Sequence, residues 1–315
     1  MNSILVIGSS NTDMVIRVQK LPLPGQTVMG DNFQTFAGGK GANQAVAARR
    51  AGGNVSFLAA IGNDELGKSA KGIYESEGID TSLIQVIDNM PSGVAMIFVD
   101  DAGENCISVA PGANNALTSA SVRRHESAIS TADVLLLQLE SPMEAVIEAV
   151  DIASRHATRC VLNPAPAREI ADSTLADLYC ITPNETEAEM LTDIAVVDEQ
   201  SAAAAAERLL QRGVENVVIT LGENGALLCN SDGLHYQNAP SVPVVDSTAA
   251  GDTFNGVLVA LLAEGHAIKE AVRLAVSAAS LSVQTTGAIA SIPERRAFDV
   301  SEKSDQERNQ ISGKQ

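Results

Sequence analysis

Residues 134–162 read VLLLQLESPMEAVIEAVDIASRHATRCVL. An unbroken apolar run, Val134–Leu137, is followed by a helix-like segment, Glu144–Ser154, and then by a second apolar run, Cys160–Leu162. Short runs with no polar face read as strands buried on both sides. The same rhythm extends outward. Ile4–Ile7, Val55–Ile61, Tyr179–Thr182 and Val217–Leu221 are further strand candidates. Asn43–Ala51, Leu66–Glu77, Ser173–Leu178 and Ala202–Arg212 are helical candidates between them. Apolar strands alternating with helices predict an α/β fold, a mostly parallel sheet covered by helices on both faces.

Two regions leave this rhythm. Thr12–Val18 alternates with period two, and so does Gly93–Ile107 around a turn at Asp100–Glu104. Alternation means strands with one exposed face. They are expected to form a small antiparallel sheet projecting from the body, a lid or a dimer contact. The reading is one domain over 1–298, with lid strands from about 12–36 and 93–109 and a polar tail over 299–315. No internal repeat is visible.

The chain has 315 residues, 39 acidic against 21 basic, for a net charge of −18. That length supplies an ample core. The charge argues against nucleic acid or an anionic membrane as partner, because both need a basic face. The acids are spread over the chain, since residues 299–315 hold four acids and three bases. No stretch approaches the ~20 apolar residues of a membrane span. The start, Met1–Gly8, lacks a basic region and carries too short an apolar run for a signal peptide. Cys106, Cys160, Cys180 and Cys229 are widely spaced. They read as buried free thiols in a reducing compartment, so a cytoplasmic location is expected. The four histidines show no metal spacing and read as surface residues.

Four segments carry chemistry. Gly62–Ser69 (GNDELGKS) fits the phosphate-loop pattern G-x-x-x-x-G-K-[ST] between a strand and a helix. Two carboxylates inside such a loop would repel phosphate, and Asp64 and Glu65 suit a helix N-terminus instead. Ala37–Asn43 (AGGKGAN) places three glycines, Lys40 and Asn43 at a helix entry. It is not a dinucleotide fingerprint, because Gln44 stands where a third glycine is required. Close backbone approach plus a cation and an amide suits a polyol or sugar; a plain glycine-rich helix entry fits equally well.

Val244–Gly256 (VVDSTAAGDTFNG) runs from a strand end through small residues into a helix. The amides of Ala249, Ala250, Gly251 and Asp252 would point from the helix N-terminus as an anion hole. Asp252 is there either a cap or, beside a substrate hydroxyl, a general base. Thr182–Glu189 (TPNETEAE) begins a helix at the carboxyl end of a strand. Asn184 and Glu187 form a capping box or a water-mediated Mg²⁺ site, and the residues leave both readings open. Thr220–Gly225 follows another strand and is placed to lie against a nucleotide. Glu140, just beyond Val134–Leu137, faces the same crevice.

Together these segments resemble the ribokinase, or PfkB, family of sugar kinases. Gly8–Asp13 resembles its N-terminal sugar motif, Gly38–Asn43 with Gln44–Ala48 its first signature, and Asp246–Gly256 its second. Asn163–Ala167 and Pro183–Glu187 match in order and spacing, and the similarity spans about residues 3–293. The resemblance implies a ribokinase-like fold and ATP-dependent phosphorylation of a sugar's primary hydroxyl, O5 of D-ribose. It implies sugar binding by Asn11, Asp13, Gly39, Lys40, Gly41, Asn43, Glu140 and Asp252, with Asp252 as catalytic base beside Gly251, Ala250 and Ala249. Asn184, Thr220, Gly222, Gly225 and Gly251 are expected at ATP, and Glu187 at Mg²⁺ through water. A monovalent cation, K⁺, is expected at Asp246, Thr248, Ser282, Thr285, Gly287 and Ser291. Val276 stands where relatives often place a polar or aromatic residue near adenine. A homodimer through the lid strands is implied as well. Deoxyribose, fructose, a nucleoside or a ketosugar acid are alternative acceptors. A phosphate-loop NTPase using Lys68 and Ser69, and a non-catalytic sugar sensor, are alternatives of other classes.

Overall fold

The computed structural model describes residues 2–299. In chain order its strands are β1 Ser3–Ile7, β2 Asn11–Val18, β3 Gly30–Gly38, β4 Asn54–Leu58, β5 Ala60–Gly62, β6 Gln85–Ile87 and β7 Gly93–Val99. They continue with β8 Asn105–Ala110, β9 Val134–Leu137, β10 Arg159–Leu162, β11 Cys180–Ile181, β12 Asn216–Thr220, β13 Ala226–Asn230 and β14 Gly233–Gln237. The main sheet has the order β14-β13-β12-β11-β10-β9-β1-β4. It is parallel from β4 to β12 and ends in an antiparallel hairpin of β13 and β14.

The strands of residues 134–162 pair directly, Leu135 opposite Cys160 and Leu137 opposite Leu162. Because side chains alternate across a strand, each buried strand feeds two cores. Val134 and Leu136 pack with the helices Lys40–Arg50, Ala250–Ala263 and Ile268–Ser282, while Leu135 and Leu137 pack with Met143–His156 and Glu199–Gln211. Both faces are covered, as the unbroken apolar runs require.

The helix Ala250–Ala263 is buried along nearly its whole length and lies against Lys40–Arg50. Gly256 permits that approach: a Cβ there would stand 2.6 Å from the Ala48 nitrogen and 2.6 Å from the Gln44 carbonyl oxygen. This contact sets Asp252 beside the N-terminus of the first helix.

The second sheet has the order β3-β2-β7-β8. Its outer pairs are antiparallel as expected, but the central pair, β2 with β7, is parallel. The chain returns to the body between these strands and re-enters the lid in the same direction, so a local hairpin cannot join them. The segment read as one strand, Val55–Ile61, is two: β4 belongs to the main sheet and β5 pairs with β6. Cys160, Cys180 and Cys229 are buried, whereas Cys106 is exposed on β8, a lid edge. None of the four histidines is buried. The tail read over 299–315 falls, from residue 300 on, outside the described residues. Among the described residues no helix is long and apolar enough to cross a membrane.

Candidate active site

The carboxyl ends of the parallel strands converge on one crevice. Ser9 follows β1, Glu140 follows β9, Asn163 follows β10, Asn184 follows β11 and Gly222 follows β12. Open α/β sheets bind ligands at this edge.

On one side lie the sugar-motif residues. Gly39 caps the helix Lys40–Arg50 at φ +89°, a conformation that favours glycine, and a Cβ there would press on the Asn11 amide. The Lys40 amide donates to Glu140 Oε2 at 2.9 Å, and the Ser9 hydroxyl donates to the same oxygen at 2.5 Å. The Gly41 amide donates to Ser9 Oγ at 3.3 Å. Asn114 donates to Asn11 Oδ1 at 2.8 Å and accepts from the Ser10 amide at 2.9 Å. With its oxygen engaged, Asn11 has its NH₂ left to offer a ligand. Burial, with Glu140 and Asp252 nearby, pushes the Asp13 carboxyl up to about 6. For Lys40 burial works the other way, but the carboxylates of Asp252, Glu140 and Glu187 outweigh it and keep the ammonium charged.

Asp252 joins this group through the first helix. Asn43 Nδ2 donates to its Oδ2 at 2.9 Å, and Gln44 Nε2 donates to its Oδ1 at 2.9 Å. Asn43 Oδ1 is buried without a protein partner. An orphaned buried acceptor is costly unless a ligand hydroxyl fills it.

On the other side of Asp252, Asn184, Thr220, Gly222, Gly225 and Gly251 line one cavity of about 500 Å³. Val242, Val244, Phe254, Val276, Ala279 and Val283 supply an apolar wall. Val276 is thus on the cavity, with Ala279 and Val283 from the same helix and its C-cap and with Val244 and Phe254 from the Val244–Gly256 segment. Ala249 precedes the helix in the left-handed region, φ 61°. The Ala250 amide donates to the Ser247 carbonyl at 3.2 Å, so this member of the four-amide group already has an acceptor. The amides that follow belong to a first turn, which offers them none within the helix.

The Asn184–Glu187 capping box is present in both directions, at 2.8 and 2.9 Å. Burial raises the Glu187 carboxyl above the usual range, against the Asn184 amide and Lys40. The box uses Glu187 Oε2, so a water-mediated Mg²⁺ site at the remaining oxygen is compatible with it. Among the cation candidates, Asp246 joins Thr248 and Gly287. The Thr248 and Gly287 amides donate to the two oxygens of Asp246 at 2.9 and 2.8 Å, and the Val245 and Asp246 amides donate to Val283. Burial works against the Asp246 charge, yet those donors hold it below the usual range. An ionised carboxylate between two loops fits a monovalent cation. Ser282 and Ser291 turn their hydroxyl hydrogens to Ala279 and Ala288, leaving oxygen lone pairs, and the Thr285 amide bonds Ser282. Among the described residues no group of three or more His, Cys, Asp or Glu is placed to hold a metal.

No residue of the Gly62–Ser69 loop lines the cavity of about 500 Å³. Asp64 caps its helix by accepting from the Gly67 amide at 2.8 Å, and Lys68 is exposed and paired with Glu65. Gln44 and Asn114 are not among the site residues expected from the sequence; Gln44 is legible there only as part of the segment resembling the first signature, and Asn114 carries no signal.

The model of the pfkB family of carbohydrate kinases matches residues 1–295. A ribokinase of Haemophilus influenzae is 45% identical over 93% of this chain and 96% of its own. A deoxyribokinase of Salmonella typhi is 34% identical over 94% and 97%. The structure of Arabidopsis thaliana ribokinase complexed with ribose and ATP superposes with a TM-score of 0.88 at 30% identity, over 94% of this chain and 97% of that one. The chain belongs to the pfkB family of carbohydrate kinases.

Proposed function

We propose that this kinase phosphorylates D-ribose at O5 with ATP, giving D-ribose 5-phosphate. The observation that carries the reading is the position of Asp252. Its carboxylate accepts a hydrogen bond from Asn43 of the first signature, and Gly251 beside it lines the cavity proposed for the nucleotide. Similarity to ribokinases, one of them bound to ribose and ATP, supports ribose as acceptor.

Asn11, Asp13, Gly39, Lys40, Gly41, Asn43 and Glu140 bind and orient the sugar. Asp252 takes the proton of O5 as that oxygen attacks the γ-phosphorus in line. Phosphoryl transfer needs positioning and charge neutralisation more than covalent help. The Ala249–Asp252 turn and Lys40 stabilise the charge on the transferred group. Asn184, Thr220, Gly222 and Gly225 hold the nucleotide. Glu187 would hold Mg²⁺ through water, which would supply neutralisation of phosphate charge. Asp246, Thr248, Ser282, Thr285, Gly287 and Ser291 would hold K⁺, which would steady the neighbouring turn. The lid closes over the sugar and excludes water, which limits ATP hydrolysis. The enzyme works in the cytoplasm as a homodimer joined through the lid.

The deoxyribokinase relative favours 2-deoxyribose as a second reading. A coupled ADP-release assay over ribose, 2-deoxyribose, fructose and adenosine tests both. Highest kcat/KM on ribose is expected; turnover of another acceptor without ribose would overturn the first reading.

A further inference from the structure

Gln44 is fully buried, and each of its polar groups has a partner. Its Nε2 donates to Asp252 Oδ1 and to Asn163 Oδ1, both at 2.9 Å. Its Oε1 accepts from Gln138 Nε2 at 2.7 Å. Asn163 Nδ2 donates to the Thr182 carbonyl at 3.1 Å. The Thr182 hydroxyl donates to Asn255 Oδ1 at 2.6 Å, and Asn255 Nδ2 donates to the Gly251 carbonyl at 2.8 Å. The circuit thus leaves Asp252 through Gln44 and returns to the peptide next to it.

Every amide in this circuit has one permissible orientation. Asn163 gives its Nδ2 to the Thr182 carbonyl and so presents Oδ1, an acceptor, to Gln44, which must therefore turn its NH₂ to Asn163 and Asp252. Backbone carbonyls only accept, which fixes Asn163 at Thr182 and Asn255 at Gly251. Gln138 then has to donate to Gln44, so two amide dipoles line up toward Asp252 and reinforce one another. Among the side chains of the circuit, only that of Asp252 is proposed to touch the sugar or the nucleotide; Gly251 enters through its carbonyl alone.

We infer that Gln44 is a positioning residue for the base: it holds the Asp252 carboxylate in one orientation, as an acceptor, through the Gln138–Gln44–Asn163 circuit. This rests on Asp252 being the base. Three other charged groups act on Asp252 through space: Asp13, Lys40 and Glu187, with Glu140 beyond them beside Asp13 and Lys40. None of them belongs to the circuit, so a change at Gln44 leaves them in place. Asn43 holds the other carboxylate oxygen but also faces the proposed sugar, so its loss would confuse binding with chemistry.

The test is the single-turnover rate of phosphoryl transfer at saturating ribose and MgATP, followed over pH. Gln44→Met keeps an unbranched side chain and removes the donor. The rate should fall roughly ten- to hundredfold, the scale of one hydrogen bond to a charged group. The acid limb should move up by about one pH unit, because the carboxylate has lost a donor that favoured its ionised form. The KM for ribose should change less than about threefold, since uniform binding is untouched. Should Gln44→Met not fold, Gln138→Met removes only the donor behind Gln44, and a smaller upward move of the same limb is expected. A rate loss with an unmoved acid limb, or no rate loss, would overturn the inference while leaving Asp252 as base. Near-wild-type turnover by Asp252→Asn, run alongside, would overturn the base itself and this inference with it.

Discussion

Asn43 donates a 2.9 Å hydrogen bond to Asp252, a residue 209 positions further along the chain. One amide thereby ties the first signature to the second, and its own oxygen stays buried and unpartnered. Two segments that each read ambiguously in the sequence become one site through this contact.

Asp252→Asn keeps the size of the side chain and removes its basicity. Loss of about two to four orders of magnitude in kcat is expected, the usual scale for a general base. Calorimetric ribose binding should persist within about tenfold. Turnover near the wild-type rate would remove Asp252 from that role.

Asp13 should make sugar capture pH-dependent. Its carboxyl is pushed up to about 6 by burial and by the neighbouring Glu140 and Asp252. The ionised form is the better acceptor for sugar hydroxyls, so kcat/KM for ribose should fall as pH drops through about 6. The stability sign is opposite. A carboxyl raised in the folded state favours folding at low pH and loses that contribution as pH rises through 6. Asp13→Asn should therefore raise the melting temperature at pH 7.5 but not at pH 4, while weakening ribose binding. A variant less stable than wild type at pH 7.5 would contradict the assignment.

Gly256→Ala forces a methyl group against backbone atoms of Ala48 and Gln44. Backbone cannot turn aside as a side chain can, so about 1–3 kcal/mol of destabilisation is expected from overpacking. Urea unfolding measures it. Because the two helices carry Asp252 and Asn43, kcat should fall as well; unchanged stability and rate would show that the contact is slack.

Lys68→Ala separates a kinase of this family from a phosphate-loop NTPase. Lys68 lies on the surface beside Glu65 and is not among the residues lining the proposed nucleotide cavity. Its loss should leave KM for ATP within about twofold, on the scale of an exposed ion pair. Abolished ATP binding would revive the phosphate-loop reading.

The lid edge gives an oligomer prediction. Every residue of β8 is exposed, including Ile107 and Val109, which share one face. An apolar exposed edge strand invites pairing. Sedimentation at micromolar concentration should show a dimer, and the double substitution Ile107→Glu with Val109→Glu should give a monomer. A wild-type monomer would remove the lid contact from the proposal.

The acid excess also finds its place. A site built from backbone amides, an amide circuit and one lysine can accept an anionic nucleotide without a basic patch. The excess charge is therefore no obstacle to an ATP-dependent reaction.

The sequence determined the elements that depend on neighbours along the chain. Unbroken apolar runs such as Val134–Leu137 declared buried strands, and alternation at Thr12–Val18 declared half-exposed ones. Glycine spacing at Gly38–Gly41 and the acid at Asp252 marked candidate site loops. Tertiary structure alone decided what depends on partners in other segments of the chain, from 25 to 208 residues away. It made β2 and β7 parallel, split Val55–Ile61 between two sheets and exposed Cys106. It also turned Gln44 toward Asp252 and set Asn114 against Asn11. Periodicity tells which face of a helix is buried, but not which polar group waits on the other side, and that is where the proposed base acquires its donors.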